Sequence, residues 1–180
     1  VVRGLEVEHV GLDLKKDVVE DCAAIARDLE CKDLSFAVGD IAGFRGFDRA
    51  DLVVSLHACD TATDEALARA VGWQASAILA VPCCQHETAR EIRNEVQGPL
   101  LKHGILKERI ASLVTDALRA ELLELAGYAT QIVEFIDTEH TPKNLLIRAV
   151  RRGSGRDPAA YRAFRDAWGA HPTLARLLSL

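Results

Sequence analysis

The 180-residue chain has no apolar run near the roughly 18 residues that would span a bilayer, so no membrane partner is expected. Cysteine is scarce. There are five, an odd number, and two of them are adjacent at Cys83 and Cys84. That is a poor disulfide framework and points to a reducing, cytoplasmic setting. No cysteine or histidine stands in the C-x2-C or H-x3-H spacing of a tight zinc signature, so the sequence assigns no metal. Charge of one sign is not in large excess either. The net charge of -5 argues weakly against a nucleic-acid coat, but it conceals an asymmetry. From Leu145 to Leu180 seven arginines face only Asp157 and Asp166, giving +5 and leaving -10 on the remainder. Such a segment could face phosphates or simply be a solvated surface.

Hydrophobic residues, by contrast, make up 49% of the chain, enough for the core of one ordinary domain. Its pivotal stretch is Asp51 to Asp64, DLVVSLHACDTATD. The apolar run through Leu56 predicts a strand buried on both faces. It changes abruptly to His57, Ala58, Cys59, Asp60 and Thr61, and then a three-to-four periodicity begins at Thr63, Leu67, Ala70 and Val71. Strand, polar elbow and helix are the reading. In an open α/β sheet, ligands sit at the carboxyl ends of strands, where this elbow would stand. An ordinary turn with Asp60 or Thr61 capping the helix explains the same residues.

His9 to Leu14 predicts a first strand closing on Asp13. Asp17 with Glu20 predicts a capping box, and Val18, Cys22, Ile25 and Leu29 an apolar helical stripe. Leu34 to Val38 is a second strand, followed by Gly39-Asp40-Ile41. Ala75 to Val81 is a further buried strand, stopped by Pro82 and followed by Cys83-Cys84-Gln85-His86-Glu87. Helical pattern runs from Thr88 to Leu101 with a break at Gly98-Pro99. A longer helix carries Leu106, Ile110, Leu113, Leu118, Leu122 and Leu125 and stops at Gly127. Thr130 to Ile136 and Asn144 to Val150 are strands too close in sequence for a crossover, so they must pair antiparallel. The expected organisation is a domain over residues 1–152, then a linker and short helical segment over 153–180.

This order, less one opening strand and helix, resembles the class I S-adenosylmethionine-dependent methyltransferase fold. That fold is a Rossmann-like α/β three-layer sandwich with a mostly parallel sheet and a terminal antiparallel strand pair. Asp13, closing VGLDL, matches the acidic residue that such enzymes place on the ribose hydroxyls, with Leu14 beside it. Asp40 matches the residue that meets the adenine amino group, with Ile41 packing on the ring. SLHACDTATDEAL, AVPCCQHE and HTPKNLLIR together look like the methyltransferase family that includes a protein with a ribosomal-RNA-adenine-dimethylase-like domain. They are also similar to the acceptor-stem tRNA 2′-O-methyltransferases. The glycine-rich loop of these families, expected after the first strand, has no counterpart here. The resemblance therefore implies the C-terminal portion of a longer methyltransferase domain.

The implied cofactor is S-adenosylmethionine, held by Asp13, Leu14, Asp40, Ile41, His57 and Ala58. The implied partner is an RNA substrate, tRNA or rRNA; oligomeric state is left open. His57 and Cys59 are the candidate catalytic residues. His57 can orient the acceptor, act as base or merely shape the loop. Cys83, Cys84, His86, Lys143 and Asn144 are candidates for substrate contact. No Asn/Asp-Pro-Pro-aromatic motif is present to clamp an amino group, which tilts against an exocyclic amine of a base and toward a hydroxyl or another acceptor. His57, Cys59, Cys83 and His86 could alternatively bind zinc, although small cysteines filling space near the cofactor explain them better. The competing function is a degenerate Rossmann-like module that contacts RNA or a protein partner.

Overall fold

The structure, a computed structural model, describes residues 6–56, 58–134, 144–153 and 155–180. The chain divides into two compact units, Val1–Gly46 and Phe47–Leu180.

The first unit is one βαβ turn: β1 (His9–Asp13), α1 (Lys16–Asp28) and β2 (Leu34–Val38). The two strands pair in parallel with Asp13 opposite Val38, as their connection by a helix requires. The capping box does not form. Helix α1 starts at Lys16, one residue before Asp17, and Lys15 at its N-cap gives no side-chain cap. Asp13 Oδ1 instead accepts the Lys15 amide proton at 2.8 Å, and Glu20 pairs with Lys16 across one exposed turn. The apolar stripe is also rotated. Val19 and Ala26 are buried, whereas Ile25 and Leu29 are 57% and 69% exposed.

The second unit opens with β3 (Leu52–Leu56), α2 (Thr61–Gly72) and β4 (Ala77–Val81). It continues with α3 (His86–Glu91), α4 (Gly98–Leu101), α5 (Gly104–Leu125), β5 (Tyr128–Glu134) and β6 (Leu145–Arg151). Helices α6 (Ala159–Trp168) and α7 (Thr173–Leu177) close it. The strand order is β3-β4-β6-β5. β3 and β4 run parallel, while β6 is antiparallel to both β4 and β5. The short connection between β5 and β6 thus pairs them as expected, and β6 inserts beside β4. The result is an α/β fold with a mixed sheet. Among the described residues β1 and β2 form a sheet separate from these four strands.

β3 is not buried on both faces. Val53 and Ser55 are buried, but Leu52, Val54 and Leu56 are more than half exposed. Register puts Val53 and Ser55 on one face with Ile78, Ala80, Ile147 and Ala149, all fully buried. Helices α2 and α5 pack against these strands. Helix α5 contributes Ala111, Val114, Leu118, Leu122 and Leu123, so Leu113, expected on its stripe, is exposed instead. Gly127, at φ +92°, ends that helix and donates its amide to Glu124 O.

The helical pattern from Thr88 breaks at Ile92, earlier than Gly98-Pro99. There Arg93 N bonds Trp168 O, a tertiary partner that replaces the next helical turn. Pro99 instead opens α4, where its missing amide proton costs nothing. The segment after Gly153 docks on the second unit: α7 packs against α2, and α6 against α5, with Tyr161 buried.

Leu118 has no exposed surface and lies in the middle of the α5 core face. Leu118→Ala is expected to cost about 2–5 kcal/mol in denaturant unfolding with an unchanged m-value. A loss well below 1 kcal/mol would contradict this packing.

Candidate functional site

Two groups of side chains stand where a ligand would be held. The first is at the carboxyl end of the β1–β2 pair. Gly39 N donates to Asp13 O at 3.0 Å, which brings Asp13 and the turn carrying Asp40 to the same strand ends. Both side chains are exposed. Asp40 Oδ1 accepts the Gly43 amide proton at 2.5 Å, which fixes the turn after β2. Leu14 is largely exposed and Ile41 half-buried. Beside Asp13 lies a cavity of about 130 Å³ whose lining includes Gly11, Val18, Cys22 and Phe36. A Cβ on Gly11 would stand 2.5 Å from the Phe36 ring, so any larger residue there would force the ring to shift.

The second group is the elbow after β3. His57 lies outside the described residues. Ala58 O accepts a hydrogen bond from the Thr63 hydroxyl, which folds the elbow onto the first turn of α2. Asp60 does not cap α2. It adopts φ 52°, ψ -120°, the first central position of a type II′ turn, where a non-glycine residue is strained by about 1–3 kcal/mol. Its carboxylate instead accepts the Glu87 amide proton at 3.1 Å, linking the elbow to the segment after β4.

What holds this strained turn is a buried arginine. Arg119 of α5 is 1% exposed. Its Nη2 donates to Asp60 O at 2.9 Å, its Nε to Asp64 Oδ1 at 2.8 Å, and its Nη1 to Asp116 Oδ1 at 3.1 Å. Gln85 reaches the same Asp116 carboxylate through Nε2 at 3.3 Å. Glu87 then accepts from the Thr173 amide at 2.9 Å and its hydroxyl at 2.6 Å, tying α7 to the site. One guanidinium thus serves two buried carboxylates. Desolvation raises Asp64 despite the opposing pull of Arg119. It pushes Asp116, the less closely paired, up to about 6. Arg119 itself is raised by the two acids against the cost of its own burial.

This network puts the elbow beside the β4 end. Cys59 Sγ lies 3.4 Å from Cys83 Sγ, and the sulfurs of Cys59, Cys83 and Cys84 all lie within 4.8 Å of one another. Desolvation and the two neighbouring thiols push Cys83 up to about 12, so it is a neutral thiol at physiological pH. That argues against a thiolate nucleophile there. His86 begins α3 with an exposed side chain and is not among the residues whose ligand atoms converge with the thiols. Asn144 is 2% exposed immediately before β6, and Lys143 lies outside the described residues.

The residues that sequence reasoning missed are Asp64, Gln85, Asp116 and Arg119. A signal was present: Asp116 and Arg119 fall in phase with Thr115, Leu118 and Leu122 on the apolar face of α5, where charges are expected only as pairs.

A family model described as a methyltransferase domain matches residues 2–91, half of the chain. No curated protein matches. The solved structure of the YcgJ protein from Bacillus subtilis is similar at a TM-score of 0.45 and 11% identity. The similarity covers 82% of this chain and 83% of that one, a likeness too loose to carry weight. Among the described residues, no helix is long and apolar enough to cross a membrane.

The buried acid pair sets a pH dependence. Asp116 binds its proton more tightly folded, at about 6, than at the ordinary 3.8 of an exposed aspartate. Between those values the folded state carries more protons, so this contribution to stability falls as pH rises through the window. Asp116→Asn mimics the protonated acid and should gain on the wild type in urea unfolding between pH 4 and pH 7. A stability difference independent of pH would contradict the assignment.

Proposed function

The chain belongs to the methyltransferase domain family, and on that premise we propose that it directs the methyl group of S-adenosylmethionine to an RNA hydroxyl. The observation that carries the cofactor reading is the pair of exposed carboxylates, Asp13 and Asp40, at the carboxyl ends of adjacent parallel strands. Carboxylates there can accept from donors on a nucleoside without a desolvation cost having been met beforehand. Asp13 would take the ribose diol and Asp40 the adenine amino group, with Ile41 against the ring. When bound, S-adenosylmethionine supplies a methyl group activated on a sulfonium.

The residues of the chain would then have two tasks: to align the acceptor in line with the donor and to accept its proton. His57 is proposed for the second, since an imidazole titrates near neutral pH. Ala58 and Cys59 would line the elbow beside it. The strained Asp60 turn supports this reading, because such backbone persists where surrounding structure over-determines it, commonly at functional sites. The choice of RNA rests on the LHAC, PCCQHE and TPKN motifs. Cys83, Cys84, His86, Lys143 and Asn144 remain the proposed acceptor-side residues.

Calorimetry with S-adenosylmethionine and nucleoside mass spectrometry of RNA from a deletion strain test the two halves separately. Asp13→Ala should weaken cofactor binding by about 10-fold or more, the worth of a charge-assisted hydrogen bond. His57→Ala should abolish methyl transfer with most of the cofactor affinity retained; loss of both together would assign His57 to shaping the elbow and not to the chemistry. Unchanged affinity in Asp13→Ala would remove the cofactor assignment. A full complement of methylated nucleosides in the deletion strain would remove RNA as the substrate.

A further inference from the structure

The sulfurs of three cysteines converge at the β3 and β4 ends. We propose that Cys59, Cys83 and Cys84 form a three-thiolate zinc site whose fourth ligand comes from outside the cluster. Zinc binds cysteine sulfur at about 2.3 Å in a tetrahedron, which puts ligand sulfurs about 3.8 Å apart. The observed separations, 3.4 Å between Cys59 and Cys83 and none beyond 4.8 Å, bracket that value. Ion entry therefore needs sub-ångström to about one-ångström adjustments of side chains, with no rearrangement of strands.

Three further observations favour a metal over the two simpler roles, space-filling and a disulfide. Space-filling cysteines belong in a core, yet Cys59 is exposed and Cys83 and Cys84 are only half-buried. A disulfide would engage two of the sulfurs and leave the third, whereas a soft cation engages all three. The loops carrying them are also fixed before any ion arrives. Asp60, next to Cys59, is clamped by Arg119 and by the amide of Glu87, and Gln85, next to Cys84, is tied to Asp116. Preorganised ligands on rigid supports are what a metal site needs.

Binding exchanges protons for the ion. Three thiols release three protons to the solvent as three Zn–S bonds form, and the cluster goes from neutral to one net negative charge. Three protein ligands with the fourth position filled from elsewhere is the arrangement of an open site, able to take water or an incoming ligand atom. The proposal stands apart from the methyl-transfer reading, since it needs neither S-adenosylmethionine nor RNA.

The test uses the full chain, reduced, freed of metal by a chelator and titrated with cobalt(II) and zinc(II) without oxygen. One cobalt per chain is expected, with thiolate charge-transfer absorption, tetrahedral visible bands and displacement by zinc. X-ray absorption of the zinc form should show three sulfurs at about 2.3 Å and one lighter ligand at about 2.0–2.2 Å. Cys59→Ser, Cys83→Ser and Cys84→Ser should each weaken zinc binding at least ~100-fold, beyond what loss of an outer-shell partner costs. Cys31→Ser, which alters an exposed thiol outside the cluster, should not. If a variant fails to fold by circular dichroism, the wild-type sulfur count decides alone. Fewer than three sulfurs on zinc, cobalt without thiolate absorption, or a reduced chain that binds no metal would overturn the proposal. A Cys59–Cys83 disulfide formed on oxidation, in a chain that takes no metal when reduced, would overturn it in favour of a redox pair.

Discussion

One buried guanidinium organises the second compact unit. Arg119 has five donors in a planar fork, and its contacts run to a backbone carbonyl on the elbow, a carboxylate on α2 and a carboxylate on α5. Lysine could not replace it, because a point charge cannot serve three directions with fixed geometry. Burying such a group is expensive, and the attraction of two acids only offsets that expense when the remaining lone pairs are met. Gln85 meets one of them. The arrangement adds little net stability over a well-packed apolar core, but it fixes which loops come together, and that is its consequence for function.

The loops so joined are the two to which the proposed chemistry is assigned. The elbow after β3 is held in a backbone conformation that aspartate does not favour, with Asp60 trading its expected role at the helix N-terminus for a bond to the next loop. The loop after β4 receives that bond and passes the connection on through Glu87 to Thr173 at the start of α7. Three thiols meet where these loops touch. Local propensity is overridden at each of these points, and such conflicts between local and global preference are expected at functional sites.

Much of the fold was legible in the sequence. Apolar runs and helical stripes located each described strand to within about two residues, positions 135 and 136 of the fifth lying outside the described residues, and the short β5–β6 connection forced an antiparallel pair. Gly127 ended its helix as its position suggested. The aspartates 13 and 40 came to the same strand ends because one βα unit separates them. The capping box at Asp17 was misread, and the alternative reading of Asp60 as a cap fails too, since both look like N-cap residues to local reasoning. In the first case the neighbouring Asp13 took up the start of α1, and in the second a loop 27 residues away captured the carboxylate. β3 was read as buried on both faces because an apolar run carries no record of which face is covered. The Arg119 cluster was invisible for a related reason: a charge in a helix reads as solvent-facing unless its phase is compared with the apolar stripe.

Arg119 couples the elbow to the β4 loop. Hydrogen exchange of Arg119→Met, followed peptide by peptide against the wild type, tests it most directly. Residues 58–62 and 83–87 are expected to lose protection together, with a stability loss of about 3–5 kcal/mol from the acids left unpaired. Loss confined to the turn of α5 around residue 119, with both loops as protected as before, would contradict it.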